Sequence, residues 1–418
     1  MKSYNFVALN FIKRVVVVLL ILPIFLACSK DDDGNAKSNS IIAIGEKSII
    51  LRSDDGGVNW TKSEVTSEAK VSGGENVKLQ DVIFASGKWV AVGGVVSTSV
   101  NKSVILTSVD DGLTWQLSKS PASSYLSKIT YSNGFFWAGG FNYQLLKSKD
   151  AITWEKIDLT DILTMFTGMY SRKYIKDIYV NGSNIVVSGY LYYTSYGGSY
   201  SSLVIESKDN GNTWKTCSVG GEYYDKIIPY QDKIYLIGKK YLGKRENGKW
   251  SYDNRSGQPQ IFAPCLTHGN KIVALSKLQA NTKLLIGENG KWERLGTGIS
   301  NLGSYNLLYG NGKYVLLGTE IPLDDYDKGP RATIYVTNEN EIEWKKGREI
   351  LGDKFFGYNI AFMAGVFSHN NFIIANSEYT NPKVSSEIFY CKDGISWKNA
   401  IMPQLEVDEQ IIKIVNAN

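Results

Sequence analysis

Ser53-Asp54-Asp55-Gly56-Gly57-Val58-Asn59-Trp60 recurs along this 418-residue chain, and the recurrence decides the fold. Close copies are Ser108-Val109-Asp110-Asp111-Gly112-Leu113-Thr114-Trp115 and Ser207-Lys208-Asp209-Asn210-Gly211-Asn212-Thr213-Trp214. Ser148-Lys149-Asp150-Ala151-Ile152-Thr153-Trp154 and Cys391-Lys392-Asp393-Gly394-Ile395-Ser396-Trp397 are one residue shorter. Three worn copies end at Trp250, Trp292 and Trp344; the last puts Glu339 and Glu341 at the Asp and Gly positions. The physics of the motif is local. An Asp carboxylate accepts hydrogen bonds from the N–H groups of its own turn, Gly permits positive φ, and Trp covers the hairpin with a large apolar area.

Working outward, each copy follows two more strand signals. Leu79 to Ala85 alternates, Ser86-Gly87-Lys88 turns, Trp89 to Val92 returns, and Ser103 to Ser108 leads into the motif. The same order recurs with turns at Asn133-Gly134, Asn181-Gly182, Gln231-Asp232, Gly269-Asn270, Gly310-Asn311 and His369-Asn370. Short β-branched and aromatic runs separated by turn dipeptides are the signature of antiparallel sheet. Four strands per unit, repeated every roughly 35 to 60 residues, is propeller spacing. The repeats override the two or three domains that length alone suggests.

The ends complete the count. Seven units contain four strands; the N-terminal piece has three, and Gln410 to Val415 is an orphan. Pairing the orphan with the three closes a ring and leaves no sheet edge there. The expected fold is all-β: one β-propeller over residues 41–418 with eight four-stranded blades, or seven if one worn unit is irregular.

The full copies resemble the Asp-box, or BNR repeat, of sialidases, sortilin-type receptors and related propellers. The resemblance implies that Asp55, Trp60, Asp110, Trp115, Asp150, Trp154, Asp209, Trp214, Asp393 and Trp397 are structural residues at the periphery, away from any active site. A sialidase-type glycoside hydrolase needs three arginines on the substrate carboxylate, a Tyr activated by Glu, and an Asp acid/base. The family's early Arg-Ile-Pro or Arg-Leu-Pro motif is absent. Arg52, Arg245, Arg294 and Arg348 fall at or beside the hairpins, which leaves Arg172, Arg255 and Arg331 for the opposite face. A shared fold does not carry function with it, so no catalytic residue is assigned. Asp-box propellers without catalytic residues also serve as assembly factors in photosynthetic membranes, which implies a scaffold as a further alternative.

The first residues read as an address. Lys2, Lys13 and Arg14 precede an apolar run from Val15 to Leu26, broken only by Pro23. At 12 residues this run is too short to cross a bilayer core of about 30 Å, and it reads as a secretory signal peptide over residues 1–27. Leu26-Ala27-Cys28-Ser29 resembles a bacterial lipobox, which implies lipidation of Cys28. Ser29-Lys30-Asp31-Asp32-Asp33 resembles the acidic export signal of Bacteroidetes lipoproteins, which implies the outer leaflet of the outer membrane. Residues 28–40 are then a flexible acidic tether, and the expected membrane contact is this lipid anchor. No later stretch is long and apolar enough to span a membrane.

Removing the leader lowers 46 basic residues to 43, against 41 acids, for a net charge of +2. Lysines dispersed among acids form no basic stripe, so nucleic acid is not an expected partner. Cys217, Cys265 and Cys391 cannot all pair and match no metal spacing; they read as small buried hydrophobes.

Binding is expected on the face opposite the motif turns, where loops vary in length. Residues 190–202 carry Tyr190, Tyr192, Tyr193, Tyr196 and Tyr200; residues 320–331 carry Asp324, Asp325, Tyr326 and Asp327. The linker at 159–172 holds Met165, Phe166, Met169, Tyr170 and Arg172. Tyr192, Tyr193, Tyr196, Asp324, Asp325, Tyr326, Arg172, Arg255 and Arg331 are the candidate binding residues. Aromatic rings beside carboxylates suit sugars, and Tyr and Arg anchors equally suit a protein partner. One acidic run without a matching ligand set makes no Ca²⁺ site, and neither metal nor cofactor is expected. His268 and His369 read as turn residues.

Overall fold

Eight antiparallel sheets succeed one another around a closed ring in the computed structural model of the chain, an eight-bladed β-propeller. The structure describes residues 38–66, 77–96, 101–166, 172–193, 198–220, 224–238, 241–254, 260–278, 281–288, 291–320, 331–350, 361–380, 383–406 and 408–417. From its inner to its outer strand, blade 1 is Ile411–Asn416, Ile41–Gly45, Ile50–Ser53 and Thr61–Lys62. Blades 2 to 8 have inner strands Val77–Ala85, Leu126–Ser132, Arg172–Asn181, Lys226–Tyr230, Gln260–His268, Leu302–Gly310 and Ala361–Ser368. Blade 2 gains a short fifth strand, Glu64–Val65, parallel to Thr114–Leu117. The helix Thr160–Thr164 occupies the linker between blades 3 and 4 that the sequence reads as loop; its Ile162 is buried against blade 4.

The expected closure is present. Ile41 faces Asn416 and Ile44 faces Lys413 in an antiparallel ladder joining the two ends of the ring. Ile41-Ile42-Ala43-Ile44 is buried throughout because a blade has neighbours on both sides. Ile41 and Ala43 join the apolar cluster shared with blade 8, while Ile42 and Ile44 join the one shared with blade 2. Eight such clusters lie between the eight blades, one at each interface.

Turn chemistry sets the strand ends. Most turns between first and second strands hold two residues at positive φ, as in Asn133-Gly134 and His369-Asn370, the geometry that matches strand twist in two-residue hairpins. In blade 7 the turn falls at Asn311-Gly312, one residue later than the sequence reading, because both of those residues adopt positive φ.

In the full motif copies the Asp carboxylates bind their own turns. Asp150 Oδ1 accepts from Ile152 N and Thr153 N, each at 2.8 Å, and Trp154 Nε1 donates to Ala151 O at 3.1 Å. Asp55, Asp110, Asp209 and Asp393 accept in the same way, and Trp60, Trp115, Trp214 and Trp397 close on the carbonyls of Gly57, Gly112, Gly211 and Gly394. The Thr213 hydroxyl and N–H hold the Asp209 carboxyl at about 2. Cys391 has a more definite role than apolar filling: its Sγ accepts from Gly394 N at 3.2 Å, where Ser148 serves blade 3. Cys217 and Cys265 are half-buried, and all three thiols are free.

Between inner strands runs a chain of alternating charge. Lys413 of blade 1 pairs with Asp81 of blade 2. Lys128 of blade 3 lies 3.4 Å from both Asp81 and Asp177 of blade 4, and Lys226 of blade 5 is 3.7 Å from Asp177. In blades 1 to 4 a register shift just before the charged residue re-aims it, as bulges do. The carboxylates also accept across blade boundaries, from Ile129 N at 3.1 Å and Ile227 N at 2.8 Å. Burial alone would raise the Asp81 carboxyl, but Lys128 and Lys413 hold it down to about 2.

Two outcomes follow for stability. Deleting residues 409–418 is expected to lower the melting temperature of the whole ring, whereas an unchanged midpoint would contradict the closure. The second concerns acid. The folded Asp81 carboxyl lies below its ordinary 3.8, so the stability it lends is complete above about pH 4 and drains as pH falls toward 2. Asp81→Asn should cost about 3–5 kcal/mol at neutral pH by stranding Lys128 and Lys413. Urea denaturation between pH 2 and 5 should then show a flatter pH dependence for the variant.

Candidate functional site

The first-to-second and third-to-fourth strand turns share one face of the ring, here called the turn face. On the opposite, loop face, blades 3 and 4 bring six aromatic rings together. In blade 4, Arg172 is in register with Tyr192, Tyr174 with Tyr190, and Tyr192 with Tyr200. Side chains two apart along a strand share a side, so these residues form a ladder over three strands. Blade 3 adds Phe141, bridged to Tyr174, and Tyr125.

Ring contacts run the length of the strip. Tyr125 and Phe141 stack at 5.8 Å, Phe141 meets Tyr174 at 5.0 Å, and Tyr174 meets Tyr190 at 4.8 Å. Tyr200 then lies 5.3 Å from Tyr190 and 5.0 Å from Tyr192. Such contacts are worth about 0.5–1.5 kcal/mol each beyond area burial, so the strip is held in one arrangement. Gly198, at φ +75°, permits the approach: a Cβ there would come within 2.8 Å of the Tyr192 hydroxyl.

The polar border is ordered as well. Lys176 Nζ stands 5.9 Å from the centre of the Tyr190 ring and 3.5 Å from Asp225. Burial raises the Asp225 carboxyl against the pull of Lys176. Burial, with Tyr174 close by, also raises the Tyr190 phenol. Arg172 is exposed at the strip's end, and Tyr200 keeps 44% of its surface open.

The candidate residues fall unevenly on this geometry. Arg172 and Tyr192 are at the strip, whereas Tyr193, next along the strand, is on the other side of the sheet; Tyr192 and Tyr193 are half-buried. Tyr196, Asp324, Asp325, Tyr326, Arg255 and Cys28 lie outside the described residues; Arg331 opens the strand Arg331–Asn338, and its side chain is likewise outside them. Tyr125, Phe141 and Tyr174 join the strip without being among the residues expected from the sequence. The available signal was an aromatic residue at or near the loop-face end of a strand in two successive repeats.

One worn motif changes role. Glu339 accepts at one carboxylate oxygen from the Tyr309 hydroxyl and lies 3.1 Å from His268 Nε2, whose ring stacks on Tyr309 at 3.7 Å. His268 is thus the last residue of its strand, paired with Lys271, and lies just before the turn in which the sequence reading places it. Glu339 also borders a turn-face cleft of about 380 Å³ with Lys271, Glu288, Lys291 and Glu293.

No protein-family model and no curated protein matches the chain. Among solved structures it is similar to dihydro-heme d1 dehydrogenase NirN, at a TM-score of 0.54 and 10% identity over 90% of this chain and 75% of that one. It is also similar to puromycin hydrolase, at a TM-score of 0.46 and 8% identity over 82% of this chain and 56% of the other. The Trypanosoma rangeli sialidase in complex with sialic acid follows at 0.36 and 15% identity, over 86% of this chain and 58% of that one. The chain thus spans little more than half the length of the puromycin hydrolase. At these identities the likeness is one of fold.

The half-buried strip makes a spectroscopic prediction. Because the Tyr190 phenol is raised, absorbance titration to about pH 11, just above the ordinary tyrosine range, should count equally many phenolates in wild type and Tyr190→Phe. One phenolate fewer in the variant would show Tyr190 to be open to water.

Proposed function

We propose that this chain is an Asp-box propeller lipoprotein, anchored through Cys28 at the outer-membrane surface, that binds carbohydrate without catalysis through its loop-face aromatic strip. The signal peptide is residues 1–27 and the tether residues 28–40. The observation that carries the binding reading is the ordered ladder of six rings with Arg172, Lys176 and Asp225 at its border. C–H faces of sugar rings stack on such π-surfaces, and hydroxyls pair with charged donors and acceptors beside them. Preorganisation supports affinity, since rings already packed lose little freedom on binding. The five motif carboxylates are engaged in their own turns and are assigned a structural role.

A glycan array probed with the full chain in detergent tests the reading, and reproducible binding to a set of related glycans is expected. Tyr200→Ala should weaken that binding about tenfold, equivalent to roughly 1.4 kcal/mol, while leaving the melting temperature within a degree or two of wild type. A silent array would sink the carbohydrate reading in favour of a protein partner.

A further inference from the structure

The described chain begins on the turn face. Ile41 pairs with Asn416, so the strand Ile41–Gly45 starts at the turn-face end of blade 1 and runs toward the loop face. Before it, Ser40 Oγ donates to Asp111 Oδ2 at 2.6 Å, and the Ser38 hydroxyl donates to the other oxygen of Asp111. Arg52 adds a bond to the same carboxylate at 3.0 Å. The entry point is therefore clasped to the motif turn of blade 2.

That clasp sits among exposed aliphatic side chains. Val109 and Leu113 flank Asp111 in the same turn and are 67% and 53% exposed. Ile152 at the tip of blade 3 is 49% exposed, and Ile395 at the tip of blade 8 is 45% exposed. Ile401, 66% exposed, lies beside the turn of blade 1, where its carbonyl accepts from Trp60 N at 2.8 Å. All five lie on blades 8, 2 and 3 or, as Ile401 does, against the turn of blade 1, and these blades are consecutive around the closed ring. They account for five of the eight large hydrophobics exposed among the described residues. Singly exposed aliphatics need no explanation, whereas five on one face of consecutive blades do.

We infer that this arc of the turn face rests on a phospholipid bilayer, with the aliphatic tips in the interfacial layer and the loop face turned outward. The inference rests on lipidation at Cys28, as proposed above. From Cys28 to Ser38 the chain has ten residues, which reach about 35 Å at most. Blade 1, where the tether leaves, has an inner strand of six residues, about 20 Å deep. A tether leaving the turn face brings that face to the membrane directly, whereas bringing the loop face there would use more than half of its reach in passing the blade. Charge is mixed along the arc, with Lys149 beside Asp150 and Lys392 beside Asp393, so contact depends on apolar insertion rather than on lipid headgroup sign.

The test uses the full, processed chain purified from membranes and placed on phosphatidylcholine vesicles. Mass spectrometry of the N-terminal peptide reads Cys28 first; a bare thiol overturns the anchor and the docking with it. On lipidated protein, hydroxyl-radical footprinting compares wild type with L113D/I152D/I395D. Val109 and Ile401 should be oxidised several-fold less in wild type than in the variant, with Tyr200 labelled equally in both. Equal labelling of Val109 and Ile401 in the two proteins, or protection that falls on Tyr200, overturns the docking while the anchor stands. The three substituted side chains are at exposed tips, and unchanged Tyr200 labelling and melting temperature show that the variant is folded.

Discussion

The ladder between Ile41–Gly45 and Ile411–Asn416 is the constraint on which the ring depends. No blade has a core of its own: each apolar cluster is shared by two neighbours, so every blade needs both of them. Opening the ring at blade 1 would expose Ile41 and Ala43 on one side or Ile42 and Ile44 on the other. At about 1.5–3 kcal/mol for each fully buried isoleucine, the loss would be a large share of the stability of a typical domain. Lys413 links this closure to the charge chain, since the strand that completes blade 1 also supplies Asp81 with a cation.

The two faces divide the work. On the turn face, carboxylates satisfy backbone N–H groups and tryptophans cover the hairpins, which fixes the strand ends. Where the motif is worn, its carboxylate is released: Glu339, one methylene longer than Asp, reaches Tyr309 and His268 rather than its own turn. The buried indole N–H of Trp344 then has no hydrogen-bond partner. On the loop face the strand ends rise beyond the shared cores, and blade 4 uses that extra length to carry its aromatic ladder.

The fold was legible because its signals are local and repeated. Turn dipeptides, alternating strands and the Trp-ended motif each mark a position, and their count left an orphan strand with one place to go. The strip was only partly legible. Tyr190, Tyr192 and Tyr200 cluster in sequence, but Tyr125 and Phe141 join them only when blade 3 is set against blade 4. The charge chain was hidden for the same reason. Asp81, Lys128, Asp177, Lys226 and Lys413 each precede Val or Ile at the same point of an inner strand, and a single charge there looks like an ordinary solvent-facing residue. Only the ring turns these five residues toward one another. The short helix Thr160–Thr164 was missed because five residues of mixed polarity carry no helical period.

The charge chain stops partway around. At the equivalent register position blades 6, 7 and 8 have Cys265, Tyr305 and Ala364. Ions thus link the inner strands of blades 1 to 5, whereas no charged residue stands at that register position in blades 6 to 8. The desolvation cost of ion pairs falls with rising temperature, while apolar association weakens on cooling. Both kinds of contact therefore weaken on cooling, but only the ion-linked side gains on heating, so the interfaces among blades 6 to 8 are the ones that heat parts first.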